Sequence, residues 1–227
     1  MRFLNLEGRG DPVPQHSSPR GMDRGRRIGI ALGAALYRLH VRGRDRVPAT
    51  GPLVMVANHT NFMDGPVLFG AFPRRLSFLV KAEAVTGPLG WLLKHVGQYA
   101  LVRDKPDRIP LLASLAQLQA GGAIGVFPEG TRGQGDVATV FAGAGWLAAR
   151  SGATIVPVAV RGVSRPSGVR RRFRPRVEVL VGQPFAVEQG ASRTAVAAAT
   201  DGIREHLAAL VRTLDEDLAA GSVDRRH

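Results

Sequence analysis

The chain of 227 residues contains no cysteine. That absence excludes disulfide bridges, cysteine nucleophiles and metal sites built from thiolates, and it fits a reducing compartment. Long hydrophobic runs are also missing, since no stretch reaches the roughly 18 apolar residues that a membrane-spanning helix needs. The nearest is the segment IGIALGAALY, residues 28–37. The length suits one domain with a full hydrophobic core.

Acidic residues are scarce: 18 Asp and Glu stand against 31 Lys and Arg, which gives a net charge of +13. Nearly all of the positive charge is arginine, whose planar guanidinium suits bidentate contacts with phosphate. The charge predicts an anionic partner, which is a nucleic acid, an anionic lipid surface or a phosphate-bearing substrate. A GC-rich genome produces the same richness in arginine and alanine, and this second interpretation stays open.

Apolar segments with strand character alternate with segments of helical periodicity along the chain. The pattern predicts an α/β domain over residues 41–227, with a mostly parallel central sheet flanked by helices. Residues 1–21 have no periodicity and are predicted to be a mobile tail. Residues 22–40 are predicted to form an amphipathic helix that either lies in a membrane interface or covers the core. Trp91, His95 and Trp146 lie in other helical segments and are predicted to be structural.

His59 and Asp64 are the first candidates for chemistry, because they follow the apolar run PLVMVA. Five residues along an ideal helix would leave their side chains roughly 140° apart. They meet only if His59 lies in the turn before a helix and Asp64 lies in its first turn, and Asn58 is suited to such a turn. A carboxylate on one imidazole nitrogen leaves the other nitrogen available as a base. Without a nucleophile of its own, the pair predicts activation of a hydroxyl on the substrate.

The segment AIGVFPEGTRG, residues 123–133, predicts a strand that ends in a tight polar turn. Gly130 would let the backbone approach an anion, while Thr131 and Arg132 would donate hydrogen bonds to it. Glu129 has a second interpretation as a local partner that fixes an arginine. Arg103 follows a further apolar strand, so it would lie at the same edge of the sheet, where ligands of parallel sheets bind.

The chain resembles the glycerolipid acyltransferases in four sequence blocks, which occur in the same order and spacing. These blocks are NHTNFMD (58–64), GQYALVR (97–103), FPEGTR (127–132) and IVPVAV (155–160). That family includes the 1-acylglycerol-3-phosphate acyltransferases, which make phosphatidic acid. The resemblance extends over about residues 41–181. One departure concerns the position after the third block, where many members have a basic residue and this chain has Ala142.

The resemblance implies that His59 is the general base and Asp64 its orienting partner. It implies a substrate-binding set formed by Asn58, Arg103, Glu129, Gly130, Thr131 and Arg132. The acyl donor would be a thioester on coenzyme A or acyl carrier protein, with no cofactor and no metal. The acceptor would be a lysophospholipid, most simply 1-acylglycerol-3-phosphate. An enzyme of this kind would be a peripheral or monotopic protein at the cytoplasmic face of the membrane.

The sequence also allows other acceptors for an acyltransferase and two other classes of protein. The acceptor could be glycerol-3-phosphate, another lysolipid or a lipid without phosphate. The last of these stays open because Ala142 stands where many members of the family have a basic residue. A nucleic-acid-binding protein would explain the charge, but the basic segments lack interleaved aromatic residues and no recognition helix is evident. We therefore expect no nucleic acid partner. A hydrolase would use the same histidine and aspartate to activate water.

Overall fold

The computed structural model describes residues 10–101, 108–130, 133–164 and 173–223. Within these residues it contains six α-helices and seven β-strands. The helices are α1 (Pro19–Leu36), α2 (Asp64–Ala71), α3 (Gly87–His95), α4 (Ile109–Gln119), α5 (Gly143–Ser151) and α6 (Arg193–Val223). The strands are β1 (Arg38–Arg42), β2 (Leu53–Ala57), β3 (Leu76–Lys81), β4 (Tyr99–Leu101), β5 (Ala123–Val126), β6 (Thr154–Arg161) and β7 (Arg176–Val181).

The strands form one sheet in the order β1-β7-β6-β2-β5-β3-β4. Every pair is parallel except β6 and β7, which run antiparallel. The predicted α/β class with a mostly parallel sheet is therefore confirmed. Since β2, β3, β4, β5 and β6 all run in the same direction, their carboxyl ends meet at one edge, which is where ligands of such sheets bind.

Helices cover both faces of the sheet, because the buried strands carry apolar side chains on both sides. On one face, Leu53 and Met55 of β2 pack with residues of α1 and α2. On the other face, Val54 and Val56 pack with residues of α4, α5 and α6. Successive side chains of a strand point to opposite faces, so β2 lies at the centre of both cores.

The amino-terminal helix is present, but its bounds differ from the prediction of 22–40. It begins at Pro19, with Ser18 as its N-cap accepting a hydrogen bond from the backbone N–H of Gly21. It ends at Leu36, because the chain becomes extended at Tyr37 and then pairs with β7 as strand β1. His40, predicted to be helical, therefore lies on an edge strand.

The prediction of a mobile tail over residues 1–21 is contradicted for residues 10–21, where Asp11 and Pro14 are buried and α1 begins at Pro19, while residues 1–9 lie outside the described part of the chain. Asp11 is 8% exposed and forms an ion pair with the fully buried Arg74, at 2.6 Å between Oδ1 and Nη2. Arg74 also donates to the backbone oxygens of Gly51 and Gly121. A buried guanidinium of this kind requires a carboxylate partner, and the tail supplies it. The composition of residues 1–21 does not predict the ion pair between Asp11 and Arg74.

Helix α2, which carries Asp64 at its first position, is held at its other end by Arg26 of α1. The Arg26 guanidinium donates from Nη2 to the backbone oxygen of Phe72, directly after the helix, at 2.5 Å. A cation at this end complements the helix dipole. Burial, with the nearby charge of Arg44, lowers the pKa of Arg26 to about 10. Helix α2 is thereby fixed against α1 at the end remote from the aspartate.

In the part of the chain that the structure describes, no helix is both long and apolar enough to span a bilayer. The same residues contain no group of three or more His, Asp or Glu side chains arranged to hold a metal ion.

Candidate active site

His59 and Asp64 are in contact at the carboxyl end of β2. The imidazole Nδ1 lies 3.1 Å from the Asp64 Oδ2. His59 occupies the loop that follows β2, and Asp64 is the first residue of α2. This is the arrangement that the spacing of the two residues predicted. The bond to the carboxylate requires the proton on Nδ1, so Nε2 is the nitrogen left to accept a proton.

The position of the Asp64 carboxylate is set by the backbone before its own helix. Oδ2 accepts hydrogen bonds from the backbone N–H groups of Thr60 and Asn61, each at 2.7 Å, as well as from His59. The side chain is completely buried. Among the described residues, Oδ1 has no hydrogen-bond partner. With a longer bond from the Thr60 hydroxyl at 3.4 Å, four donors on one oxygen fix the carboxylate beside the histidine.

The His59 ring packs against Phe127, the residue that follows β5. The two rings stack with centroids 4.2 Å apart, and Phe127 stacks in turn on Phe78 of β3. The His59 side chain keeps 18% of its surface exposed. One face of the imidazole is thus supported by the core, and part of the side chain remains exposed.

Glu129 contacts the backbone of His59. Its Oε1 accepts the His59 backbone N–H at 2.8 Å, and the carboxylate also accepts a hydrogen bond from the backbone of Val137. Burial raises the pKa of Glu129, and these two backbone bonds oppose the shift. On the other side of the residue, the N–H of Gly133 donates to the His59 oxygen at 3.1 Å. The turn therefore holds the histidine in place, while its contact with substrate stays a prediction.

Gly130 adopts a left-handed conformation, with φ of +70°. Its N–H donates to the backbone oxygen of Phe127 at 3.1 Å and closes the turn after β5. This conformation by itself favours glycine, while the predicted close approach of the backbone to an anion stays a prediction. The predicted partners Thr131 and Arg132 lie outside the described residues, as does Arg103.

Asn58 joins β2 to the neighbouring β6 and to the loop after the turn. Its Oδ1 accepts the Val160 N–H at 2.7 Å, and its Nδ2 donates to the oxygens of Val160 and Gly135. The residue is 1% exposed. Because both ends of the amide are engaged and buried, the structure indicates a positioning role for Asn58, whereas the sequence suggested a substrate contact.

Several residues that position the site were missed from the sequence. Val137 has φ of +60°, a strained conformation for a β-branched residue, and is buried against α6. Ser164, after β6, donates to the Thr60 oxygen at 3.0 Å. Phe127 could have been noticed as an aromatic residue directly before the Pro-Glu-Gly turn, but the other two give no signal in the sequence.

Gly135 is the glycine of this region whose substitution should disturb the site most. At its φ of +66°, an added Cβ would lie 2.5 Å from the Thr60 Cγ2 and 2.8 Å from the Asn58 Nδ2. We expect Gly135→Ala to reduce stability by about 1–3 kcal/mol and kcat by about tenfold, because Asn58 and Thr60 flank His59. Thermal unfolding and steady-state rates measure both effects. Gly143→Ala is the control, since its Cβ would meet nothing within 4 Å; equal behaviour of the two variants would contradict the prediction.

The sequence matches a family of known proteins. The family model described as acyltransferase matches residues 38–161, which is more than half of the chain and includes every residue of the site described above except Ser164. The chain belongs to the acyltransferase family. Within this acyltransferase, the match begins at β1 and ends at the last residue of β6, so it covers the strands that carry His59 and Glu129.

Individual relatives agree with the family assignment. The acyltransferase is 26% identical over 182 residues to the 1-acyl-sn-glycerol-3-phosphate acyltransferase of Bacillus subtilis, covering 78% of this chain and 89% of that protein. It is 37% identical over 134 residues to the lyso-ornithine lipid O-acyltransferase of Pseudomonas aeruginosa, covering 58% of this chain and 51% of that protein. It thus spans nearly all of the first relative and about half of the second.

A solved structure shares the fold. The crystal structure of the 1-acyl-sn-glycerophosphate acyltransferase PlsC from Thermotoga maritima superposes with a TM-score of 0.65 and 22% identity, covering 87% of this chain and 80% of that one. At this identity the likeness establishes the fold alone. The fold that sequence patterns predicted for this acyltransferase is therefore found in an independent structure.

Proposed function

We propose that this acyltransferase transfers an acyl group from a thioester to the free hydroxyl of a lysophospholipid, with 1-acylglycerol-3-phosphate as acceptor and phosphatidic acid as product. The observation that carries the proposal is the contact between the His59 Nδ1 and the Asp64 Oδ2 at the ligand edge of the sheet. The names of the relatives, the Bacillus subtilis enzyme among them, support the acceptor class.

In the proposed reaction, the His59 Nε2 takes the proton of the acceptor hydroxyl as its oxygen attacks the thioester carbonyl. The tetrahedral intermediate collapses by breaking the carbon–sulfur bond. The thiolate leaves and receives the proton from the imidazolium, so the histidine returns to its neutral state. The buried charge of Asp64 stabilises the imidazolium while it exists. A thiolate is a good leaving group, and no covalent acyl-enzyme is required.

The donor is proposed to be acyl-coenzyme A or acyl carrier protein, and the reaction needs no further cofactor. The acceptor phosphate is proposed to contact Arg103, Thr131 and Arg132, on the basis of the sequence resemblance. The segment 161–176 contains seven arginines and no acidic residue. Two of these arginines already have partners: Arg161 binds Asp215 at 2.7 Å, and Arg176 binds Glu178. They are therefore weaker candidates for phosphate.

An apolar groove beside α2 supports a lipid substrate. Its volume is about 300 Å³, and it lies between α1, α2 and β1. Its lining is largely apolar and includes Gly29, Gly33, Val67 and Gly70, with Arg38 and Arg174 among the other lining residues. A largely apolar groove with two arginines in its lining suits a hydrocarbon chain attached to an anionic group. We propose that it holds part of an acyl chain.

A second acceptor is kept as a candidate by two observations. The identity to the Pseudomonas aeruginosa lyso-ornithine lipid O-acyltransferase is 37% over the matched region. In addition, Ala142 stands where many glycerolipid acyltransferases have a basic residue, and it is exposed directly before α5. Both favour an acceptor whose headgroup needs fewer cations, as in a lysolipid that carries an amino acid.

The test incubates the full chain with labelled acyl-coenzyme A or acyl carrier protein and a panel of acceptors. The panel contains 1-acylglycerol-3-phosphate, glycerol-3-phosphate, lysophosphatidylcholine and lyso-ornithine lipid, and products are identified by mass. We expect phosphatidic acid as the main product. A preference for lyso-ornithine lipid would replace the first acceptor with the second, and thiol release that needs no acceptor would indicate a hydrolase.

A further inference from the structure

Residues 133–137 form a loop that lies against His59, and we call them the 133–137 loop. The Gly133 N–H donates to the His59 oxygen at 3.1 Å. The backbone of Val137 donates to the Glu129 carboxylate, which also accepts the His59 N–H. Both backbone groups of the histidine are thus held by this loop, one directly and one through Glu129. A displacement of the loop would therefore move the backbone that carries the imidazole.

The Gly135 oxygen is the point at which the loop meets the sheet. It accepts a hydrogen bond from the Asn58 Nδ2 at 3.4 Å and another from the Arg161 Nη1 at 3.1 Å. Asn58 directly precedes His59, and Arg161 is the last residue of β6, the strand next to β2. With φ of +66° at Gly135, an added Cβ would lie 2.9 Å from the Arg161 Nη1. The lack of a side chain therefore permits the close approach of the guanidinium.

Arg161 is itself fixed by Asp215 of α6. Its Nε donates to the Asp215 Oδ1 at 2.7 Å, and its Nη2 donates to Oδ2 at 2.9 Å. All three guanidinium nitrogens are therefore engaged, two by the carboxylate and one by the loop. The planar fork is thereby held in one orientation. The bond between the two side chains raises the pKa of Arg161 and lowers the pKa of Asp215, so the pair stays charged at neutral pH.

This ion pair is too exposed for stability to explain it. The Asp215 side chain is 48% exposed and the Arg161 side chain is 19% exposed. Pairs exposed to this degree contribute little to the free energy of unfolding, because water and salt screen them. Helix α6 already packs on the domain through buried apolar side chains, among them Leu207 and Leu214. The pair therefore needs an explanation other than attachment of the helix.

We propose that Arg161 and Asp215 are positioning residues for acyl transfer, which hold the 133–137 loop against the backbone of His59. The link from α6 to the histidine runs through the carboxylate, the guanidinium and the Gly135 oxygen. Misplacement of a catalytic group by about 1 Å lowers a rate by about 10²-fold, so a small movement of this loop matters. The proposal rests on the proposed function, in which His59 takes the proton of the acceptor.

A matched pair of variants tests the proposal. Asp217 lies two residues later on α6, is 45% exposed, and binds Arg42 of β1 at 2.7 Å. It therefore reproduces the distance and exposure of Asp215, but with an arginine two strands away from β6. We expect Asp215→Asn to lower kcat by about tenfold and to leave the KM of both substrates within about twofold of wild type. We expect Asp217→Asn to leave kcat and KM within about twofold.

Two outcomes of this comparison would overturn the proposal. Equal losses of kcat in Asp215→Asn and Asp217→Asn would report a general loosening of α6. A higher KM for the acceptor at unchanged kcat in Asp215→Asn would assign Arg161 to substrate binding.

Arg161→Lys separates positioning from charge. Lysine keeps the positive charge, but its single ammonium lacks the planar fork that binds Asp215 and the Gly135 oxygen together. We expect a loss of about tenfold in kcat, with the melting temperature within about 3 °C of wild type. Adding Asp215→Asn should cause little further loss, because both changes break the same chain of contacts. Wild-type kcat in Arg161→Lys would show that charge alone suffices, and the proposal would fail.

Hydrogen exchange, followed at single residues by NMR, needs no substrate and so separates this proposal from the proposed function. In Asp215→Asn the backbone N–H groups of Gly133 and His59 should exchange about tenfold faster, whereas Asp217→Asn should leave both at the wild-type rate. Unchanged exchange of these two groups in Asp215→Asn would contradict the positioning role. If the wild type acylates no lysolipid while exchange responds as expected, the proposed function fails and the positioning contacts stand.

Discussion

Replacing His59 with alanine is expected to lower kcat for acyl transfer by at least about 10³-fold, within the range of about 10² to 10⁴ that a general base contributes. The remaining rate would come from binding and orientation of the two substrates. Thiol release from acyl-coenzyme A in the presence of acceptor measures this rate directly. The KM values should change little, because the ring is assigned to proton transfer and not to binding.

The same variant should remain folded, since the two backbone bonds to the Asp64 carboxylate do not depend on the imidazole. Thermal unfolding followed by circular dichroism checks this point. His206→Ala is a matched control, because that histidine is exposed on α6 and stacks on Phe185 far from the sheet edge. If folded His59→Ala kept more than a tenth of the wild-type rate, His59 would not be the base.

Local chemistry explains why the central pair could be predicted from the sequence. His59 and Asp64 are five residues apart, and the intervening Asn61 forms a turn in which its Oδ1 accepts the N–H of Met63. Such turns are encoded by the residue types themselves. The strand order of an α/β sheet then places the segment at the ligand edge. No long-range contact had to be known for that inference.

The contacts between His59 and residues distant in sequence could not be predicted in this way. Glu129 is 70 residues from His59 in sequence, and it binds a backbone N–H, a group that every residue except proline has. The left-handed conformation of Val137 depends on burial against α6 and on its bond to Glu129. Sequence patterns report side-chain types, so they predicted the Glu-Gly turn but not the bond of Glu129 to the His59 backbone.

The amino-terminal region shows the same limit at the level of the fold. The end of α1 was placed four residues too late because Tyr37 to His40 fit a helical pattern as well as a strand. Pairing of β1 with β7, which lies 138 residues later, makes this segment a strand. Trp91, predicted to be structural, is instead 68% exposed on α3. Apolar residues on a short helix predict burial, and the sequence does not show which face of that helix lies against the domain.

Substitution of Asp64 should have the second large effect, and two variants separate its roles. In Asp64→Asn, the amide oxygen is expected to take the place of Oδ2, since the N–H groups of Thr60 and Asn61 both point at that position. The bond to the His59 Nδ1 and its tautomer would then be kept, while the negative charge is lost. We expect kcat to fall by about 10²- to 10³-fold. This loss is smaller than the roughly 10⁴-fold loss that results when an Asp-to-Asn substitution moves the histidine proton to the other ring nitrogen.

Asp64→Ala should be worse in both activity and stability, because it leaves the backbone donors of Thr60 and Asn61 without their acceptor and frees the imidazole to rotate. An unsatisfied buried donor costs about 1–3 kcal/mol, so the melting temperature should fall below that of Asp64→Asn. Steady-state rates and thermal unfolding of the three proteins should therefore give one order: wild type, then asparagine, then alanine. Wild-type activity in Asp64→Asn would show that the buried charge does not stabilise the imidazolium, and the aspartate would then only fix the loop before α2 through the N–H groups of Thr60 and Asn61.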